Sequence, residues 1–173
     1  MRDFSTHLAL IFAGFLLACR TAGARGRESI VTFEPDPGSV VLASSGRTAP
    51  LFVDRDDYSG VIRAAKDLQM DIERVTGQAP KLVFDVASVE GTLVIIGTLG
   101  HSPLIDGLVA NGRIDVGEIE GEWEAFLVET LPDPVPGVDR ALVIVGSDRR
   151  GTIFGVYELS EQIGVSPWYW WAD

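Results

Sequence analysis

Two runs, TLVIIGT at residues 92–98 and ALVIVGS at 141–147, are apolar at almost every position. A run this short and this uniformly apolar suits a strand with both faces covered. Two such strands call for a sheet with a layer packed on each side. Ahead of the first run the spacing turns helical. Tyr58, Val61, Ile62, Ala65, Leu68, Ile72 and Val75 recur three or four apart, one face of a long amphipathic helix. Asp56 or Asp57 is placed to cap its start and Gly77 to end it. Arg63, Lys66, Asp67, Asp71 and Glu73 fall largely on its wet side.

The remaining segments fill in the layers. Residues 29–34 and 39–44 are short and β-branched, with Pro35, Pro37 and Gly38 between them, and read as a strand pair joined by a turn. Residues 49–54, 81–86 and 124–131 read as further strands. A shorter helix is expected after Ser102, with Leu104, Ile105, Leu108 and Val109 inward. A last one spans about Arg150 to Gln162, burying Ile153, Phe154, Tyr157 and Leu159 before Gly164. The predicted fold class is α/β, a mixed β-sheet flanked by helices.

Residues 8–18, LALIFAGFLLA, form an apolar run too short to span a bilayer as a stable helix. Arg2 precedes it and the small residues Ala22 to Ala24 follow it. That is the form of a secretory signal peptide over residues 1–24, leaving residues 25–173 as one domain of a secreted protein. LLAC at 16–19 is a variant of a lipoprotein box, in which Cys19 would carry a lipid; membrane attachment is expected only by that route. The chain carries a net charge of −11, and without Arg2, Arg20 and Asp3 of the leader the body keeps 12 basic and 24 acidic residues. Such acidity makes a poor nucleic-acid partner, because phosphate contact needs a basic surface.

Several motifs invite a chemical reading. Gly97 and Gly100 lack the G-x-G-x-x-G that brings backbone against a pyrophosphate. Gly146 and Gly151 have P-loop spacing, but Thr152 stands where the lysine belongs. These glycines read as tight strand-to-helix turns, and no nucleotide or other cofactor is expected. His101 has no companion at metal-ligand spacing, and His7 is in the leader, so no metal site is expected. Glu118, Glu120, Glu122 and Glu124 alternate around Trp123 and read as a solvated strand or loop.

Arg149 and Arg150 are more pointed. They stand where a strand meets a helix, and helix N-termini favour anions over cations. Either they serve a carboxylate-bearing ligand, or Asp148 caps the helix and the arginines pair with surface carboxylates. The stretch PWYWWAD at 167–173 adds aromatic surface of the kind that packs on sugar rings, with a carboxylate beside it. If it is extended, Trp168 and Trp170 share one side and Tyr169 and Trp171 the other. These faces serve either a ligand or a neighbouring domain.

The run DRRGTIFGVYELSEQIGVSPWYWWAD at 148–173 resembles the N-terminal domain of glycoside hydrolase family 115, the xylan α-1,2-glucuronidases. RAAKDLQMDIERVTGQAP at 63–80 and GTLVIIGTLG at 91–100 are similar to it too, as is the early VTFEP and LASSGRTAPLFVD sequence. The resemblance spans roughly residues 28–173. It implies an α/β unit preceding a catalytic barrel, and inverting removal of glucuronic acid or its 4-O-methyl ether from xylan. An inverting hydrolase needs a general acid and a base that activates water. The resemblance implies that both come from the barrel, so no catalytic residue is assigned here and the 173 residues alone are expected to be inactive. The implied partners are glucuronoxylan or xylo-oligosaccharide and the barrel of the same chain. Arg149, Arg150, Trp168, Tyr169, Trp170, Trp171 and Asp173 then become candidates for substrate binding or for the seam with that barrel. The alternative is a secreted, non-catalytic α/β module that binds carbohydrate or a partner domain.

Overall fold

The computed structural model describes residues 29–34 and 38–166. The leader expected over residues 1–24, Cys19, and the candidates Trp168, Tyr169, Trp170, Trp171 and Asp173 lie outside the described residues. The elements run β1 (Ala43–Ser44), β2 (Arg47–Thr48), β3 (Leu51–Val53), α1 (Ser59–Thr76), β4 (Leu82–Val83), β5 (Gly91–Thr98), α2 (Pro103–Ala110), β6 (Phe126–Pro132), β7 (Val138–Gly146) and α3 (Arg149–Gln162). β1 and β2 form a small antiparallel pair. The other strands make one sheet in the order β4-β3-β5-β7-β6, parallel except for the antiparallel edge pair β6–β7.

The uniformly apolar runs became the two central strands, and alternate residues feed opposite cores. Val94 and Ile96 of β5, with Leu142 and Ile144 of β7, meet Val61, Ala65 and Leu68 of α1 and Val156 and Leu159 of α3. Leu93, Ile95, Val143 and Val145 face the other way, against Ile105 and Leu108 of α2 and against Ile114, Val116 and Ile119. Those last three belong to the irregular segment between α2 and β6. The Glu118 to Glu124 stretch is therefore loop, pinned by the buried Ile119 between the exposed Glu118 and Glu120. Among the described residues no helix is long and apolar enough to cross a membrane.

α1 ends as expected: Gly77 takes a left-handed conformation, φ 73°, and its N–H closes on the Glu73 carbonyl at 2.7 Å. Other expectations need correction. Residues 29–34 form no strand, and of 39–44 only Ala43 and Ser44 do. Val31, Val40 and Leu42 are β-branched or apolar because they lie against the α1–α3 core, not because they pair in a sheet. Val75 at the end of α1 is 45% exposed, whereas Asp71, expected on the wet side, is buried and held by Arg74 at 2.6 Å.

α3 differs most. Phe154 and Tyr157 were expected inside and are 40% and 42% exposed. The buried face is instead Gly151, Thr152, Gly155, Val156, Leu159 and Ser160. Small residues let this helix close on the sheet: a Cβ on Gly155 would lie 2.7 Å from Ile144 Cγ2. The larger aromatics are pushed to its outer side, where the Tyr157 hydroxyl donates to Asp67 Oδ2 on α1 at 2.8 Å.

Candidate functional site

In an open α/β sheet, the loops after the carboxyl ends of parallel strands gather at one edge, where ligands bind at the point of reversed strand order. β3, β5 and β7 are parallel neighbours ending at Val53, Thr98 and Gly146, and from each the chain turns into a helix. From β3 it goes out to β4 and then returns to β5 on the other side, so the reversal falls between β3 and β5.

A buried polar network ties these three strand ends together. Asp57 Oδ1 accepts from the Tyr58 N–H at 2.7 Å and from the Thr98 hydroxyl at 2.9 Å, while Oδ2 accepts from the Thr98 N–H at 2.9 Å. The Thr98 and Thr152 hydroxyls are 2.7 Å apart, and Thr152 also donates to the Asp148 carbonyl at 3.0 Å. Asp57 is 5% exposed. Burial pushes its carboxyl above the usual range against the hydrogen bonds from Thr98 and Tyr58, which favour the charged form. Either Asp56 or Asp57 was expected to cap α1. The N-cap is instead Tyr58, with no side-chain cap, and Asp57 is the cross-brace between β5 and α1.

Asp148 caps α3. Its Oδ1 accepts from the Gly151 N–H at 2.8 Å and its Oδ2 from the Glu124 N–H at 3.1 Å. The Gly151 bond, ahead of the others, holds its carboxyl below the usual range. Glu124 sits at φ 58°, in the left-handed region, where its N–H reaches Asp148. The spacing of Gly146 and Gly151 has a packing cause. A Cβ on Gly146 would lie 2.1 Å from Thr152 N, and one on Gly151 would lie 2.1 Å from the Ala125 carbonyl oxygen.

The two arginines separate. Arg150 Nη1 pairs with Glu124 Oε1 at 2.9 Å, and its guanidinium lies 5.6 Å from the Phe154 ring centroid. Arg150 is 60% exposed in this pair, so Arg150→Ala is expected to change stability by under about 1 kcal/mol. Urea unfolding at low and high salt checks this, and the small difference should shrink with salt. Arg149 has no ion pair among the described residues. Its guanidinium carbon stands 5.9 Å from the Tyr58 ring centroid. The Tyr58 hydroxyl is 2.6 Å from His101 Nε2, and the two rings are 4.1 Å apart at a 40° tilt. Arg149, Tyr58 and His101 thus come together on the surface above the Asp57 brace.

Reading the sequence singled out Arg149 and missed Tyr58, Thr98 and Thr152; His101 was weighed as a metal ligand, without a companion at ligand spacing. Tyr58 was counted with the apolar face of α1, yet it is 36% exposed. The usable signal was position: each of these residues lies at or just beyond the carboxyl end of a parallel strand or in the helix turn that follows it. Among the described residues no group of three or more His, Cys, Asp or Glu is arranged to hold a metal ion.

No family model and no curated protein matches the chain. Among solved structures it is similar to a family GH115 4-O-methyl-alpha-glucuronidase, BtGH115A, described as having specificity for decorated arabinogalactans. The identity is 27% and the TM-score 0.60, over 75% of this chain and 15% of that one. CpGH84D is also similar, at 11% identity and a TM-score of 0.45, over 82% of this chain and 22% of that one. The chain therefore spans about one seventh and one fifth of these proteins' lengths. Its mixed sheet flanked by helices is a glycoside hydrolase-type α/β fold.

Proposed function

We propose that this domain belongs to a secreted glycoside hydrolase of the xylan α-1,2-glucuronidase type, which removes (4-O-methyl)glucuronic acid side chains from xylan with inversion. The observation that carries the reading is the likeness to a 4-O-methyl-alpha-glucuronidase at 27% identity over three quarters of the chain. In this reading the acid and base come from a catalytic barrel of the same polypeptide, as the resemblance to glycoside hydrolase family 115 implies. The domain's part is to pack on the barrel with the carboxyl-end edge of its sheet, where Arg149 lies. Arg150, Trp168, Tyr169, Trp170, Trp171 and Asp173 are its other candidates for the seam or the substrate. Membrane attachment enters only through a lipid on Cys19.

A second reading, a non-catalytic module that binds carbohydrate, is favoured by Trp123. Its indole is 88% exposed on a loop, a platform of the kind that packs on sugar rings.

Incubation with glucuronoxylan and with uronate-decorated arabinogalactan separates the readings. The protein made from its complete reading frame is expected to release 4-O-methylglucuronate, and faster from glucuronoxylan; the 173-residue chain is expected to release none. Binding of both polysaccharides without release supports the module instead.

A further inference from the structure

We propose that Arg149, Tyr58 and His101 form a binding site for the carboxylate of a sugar acid. This rests on the glucuronidase reading and names the residues that would meet the uronate.

The first argument is the state of the neighbouring charges. Four aspartates around this edge are already engaged by backbone donors, while Asp56 is exposed to solvent. Asp57 holds Tyr58 and Thr98, Asp148 holds Gly151 and Glu124, Asp106 holds the Gly100 N–H at 2.9 Å, and Asp54 holds the Asp56 N–H at 3.2 Å. Glu124 is taken by Arg150. Arg149 is left with a full charge and no carboxylate among the described residues. Its contact with Tyr58, at 5.9 Å, is at the outer limit of a cation–π interaction. The guanidinium thus stands beside the ring with its forked N–H groups still to offer, the geometry that carboxylates take up in pairs.

The second argument is the Tyr58–His101 hydrogen bond, which leaves a donor in either tautomer. If the phenol donates to Nε2, the imidazole proton is on Nδ1, which has no acceptor among the described residues. If Nε2 carries the proton and donates to the phenol oxygen, the phenol O–H is the donor left over. A fixed cation and one neutral donor therefore stand together on a partly exposed surface. The ring faces of Tyr58 and His101 supply apolar area for the sugar. Asp57 acts as a positioning residue, holding the Tyr58 backbone against the end of β5 from inside.

Arg47 provides the control, because it is an exposed arginine on β2, ahead of the start of β3 and not at its carboxyl end. Equilibrium binding of D-glucuronate, D-glucose and acetate to the protein made from its complete reading frame tests the site. The same preparations are assayed for turnover of glucuronoxylan. Arg149→Ala is expected to weaken glucuronate binding and to raise KM by about tenfold, as loss of a charge-assisted pair implies. Arg149→Lys should recover part of the loss, and Arg47→Ala should bind glucuronate as the wild type does. D-glucose and acetate should bind markedly more weakly than glucuronate. An Arg149→Ala protein with unchanged glucuronate binding and KM overturns the site while leaving the hydrolase reading intact. So does D-glucose or acetate binding as tightly as glucuronate. Failure of the wild type to turn over glucuronoxylan sinks the hydrolase reading, whatever Arg149 does.

Discussion

Gly146→Ala is expected to destabilise the fold by about 4 kcal/mol, at the far end of what single substitutions do. The added Cβ would meet Thr152 N at 2.1 Å, its Oγ1 at 2.2 Å and its Cα at 2.6 Å. Two of the three are backbone atoms in the first turn of α3, so no side-chain rotation relieves the overlap. α3 must move off the end of β7, which separates Thr152 from Thr98 and loosens the polar network between strand ends. In a protein of this size the loss corresponds to a fall in melting temperature of roughly 10 °C. Gly107→Ala is the matched control. A Cβ there meets nothing within 4 Å, in the middle of α2, and alanine is the better helix former by about 0.5–1 kcal/mol. The two Gly→Ala changes should move the melting temperature in opposite directions, and a neutral Gly146→Ala would refute the close approach of α3 to β7.

Asp57→Ala is the second large effect, expected to cost about 3 kcal/mol in denaturant unfolding at neutral pH. It strips acceptors from the Thr98 N–H, the Thr98 hydroxyl and the Tyr58 N–H, and a buried donor left unpaired costs about 1–3 kcal/mol. Part of the loss is offset, because removing the carboxylate also removes the penalty of burying it. Asp57→Asn should lose about half as much, since one amide oxygen can still serve one or two of the donors. The pH dependence has a definite sign. The folded carboxyl is raised above its ordinary value by burial, so the folded state binds more protons through that window. Its contribution is most favourable below the ordinary carboxylate value and is lost as pH rises through the raised one. Asp148, held below its ordinary value by the Gly151 N–H, works oppositely: its contribution is present above the ordinary value and fades on acidification. Asp57→Asn should therefore make the protein lose stability more steeply on acidification than the wild type does.

These two substitutions mark the boundary of what was legible in the sequence. The central strands were legible, because a strand covered on both faces has to be apolar throughout, and residues 92–98 and 141–147 are. α1 was legible from its spacing and Gly77. The buried face of α3 was not, because its contact depends on Gly151 and Gly155, residues that carry no hydrophobic signal and whose role is to be small. The larger side chains Phe154 and Tyr157 were expected inside for the same reason, and both are part-exposed. The early β-branched residues misled in the opposite sense: Val31 and Val40 record contact with the core, and burial alone does not make a strand.

The candidate site divides along the same line. Arg149 and Arg150 stood out as cations at a helix start, but only the fold shows that Glu124, displaced to a left-handed conformation, reaches one of them. Asp57 and Thr98 are 41 residues apart, and Tyr58 and His101 are 43 apart. Such pairings follow from two parallel strands ending side by side, and local pattern does not encode them.

The central claim, that this domain serves a glucuronidase-type hydrolase, is tested most directly by following 4-O-methylglucuronoxylan by NMR during hydrolysis by the protein made from its complete reading frame. The account predicts free 4-O-methylglucuronic acid appearing first as its β-anomer, as inversion at an α-linkage requires, with the xylan backbone left uncleaved. Release of neutral xylo-oligosaccharides without uronate, or no release at all, would contradict it.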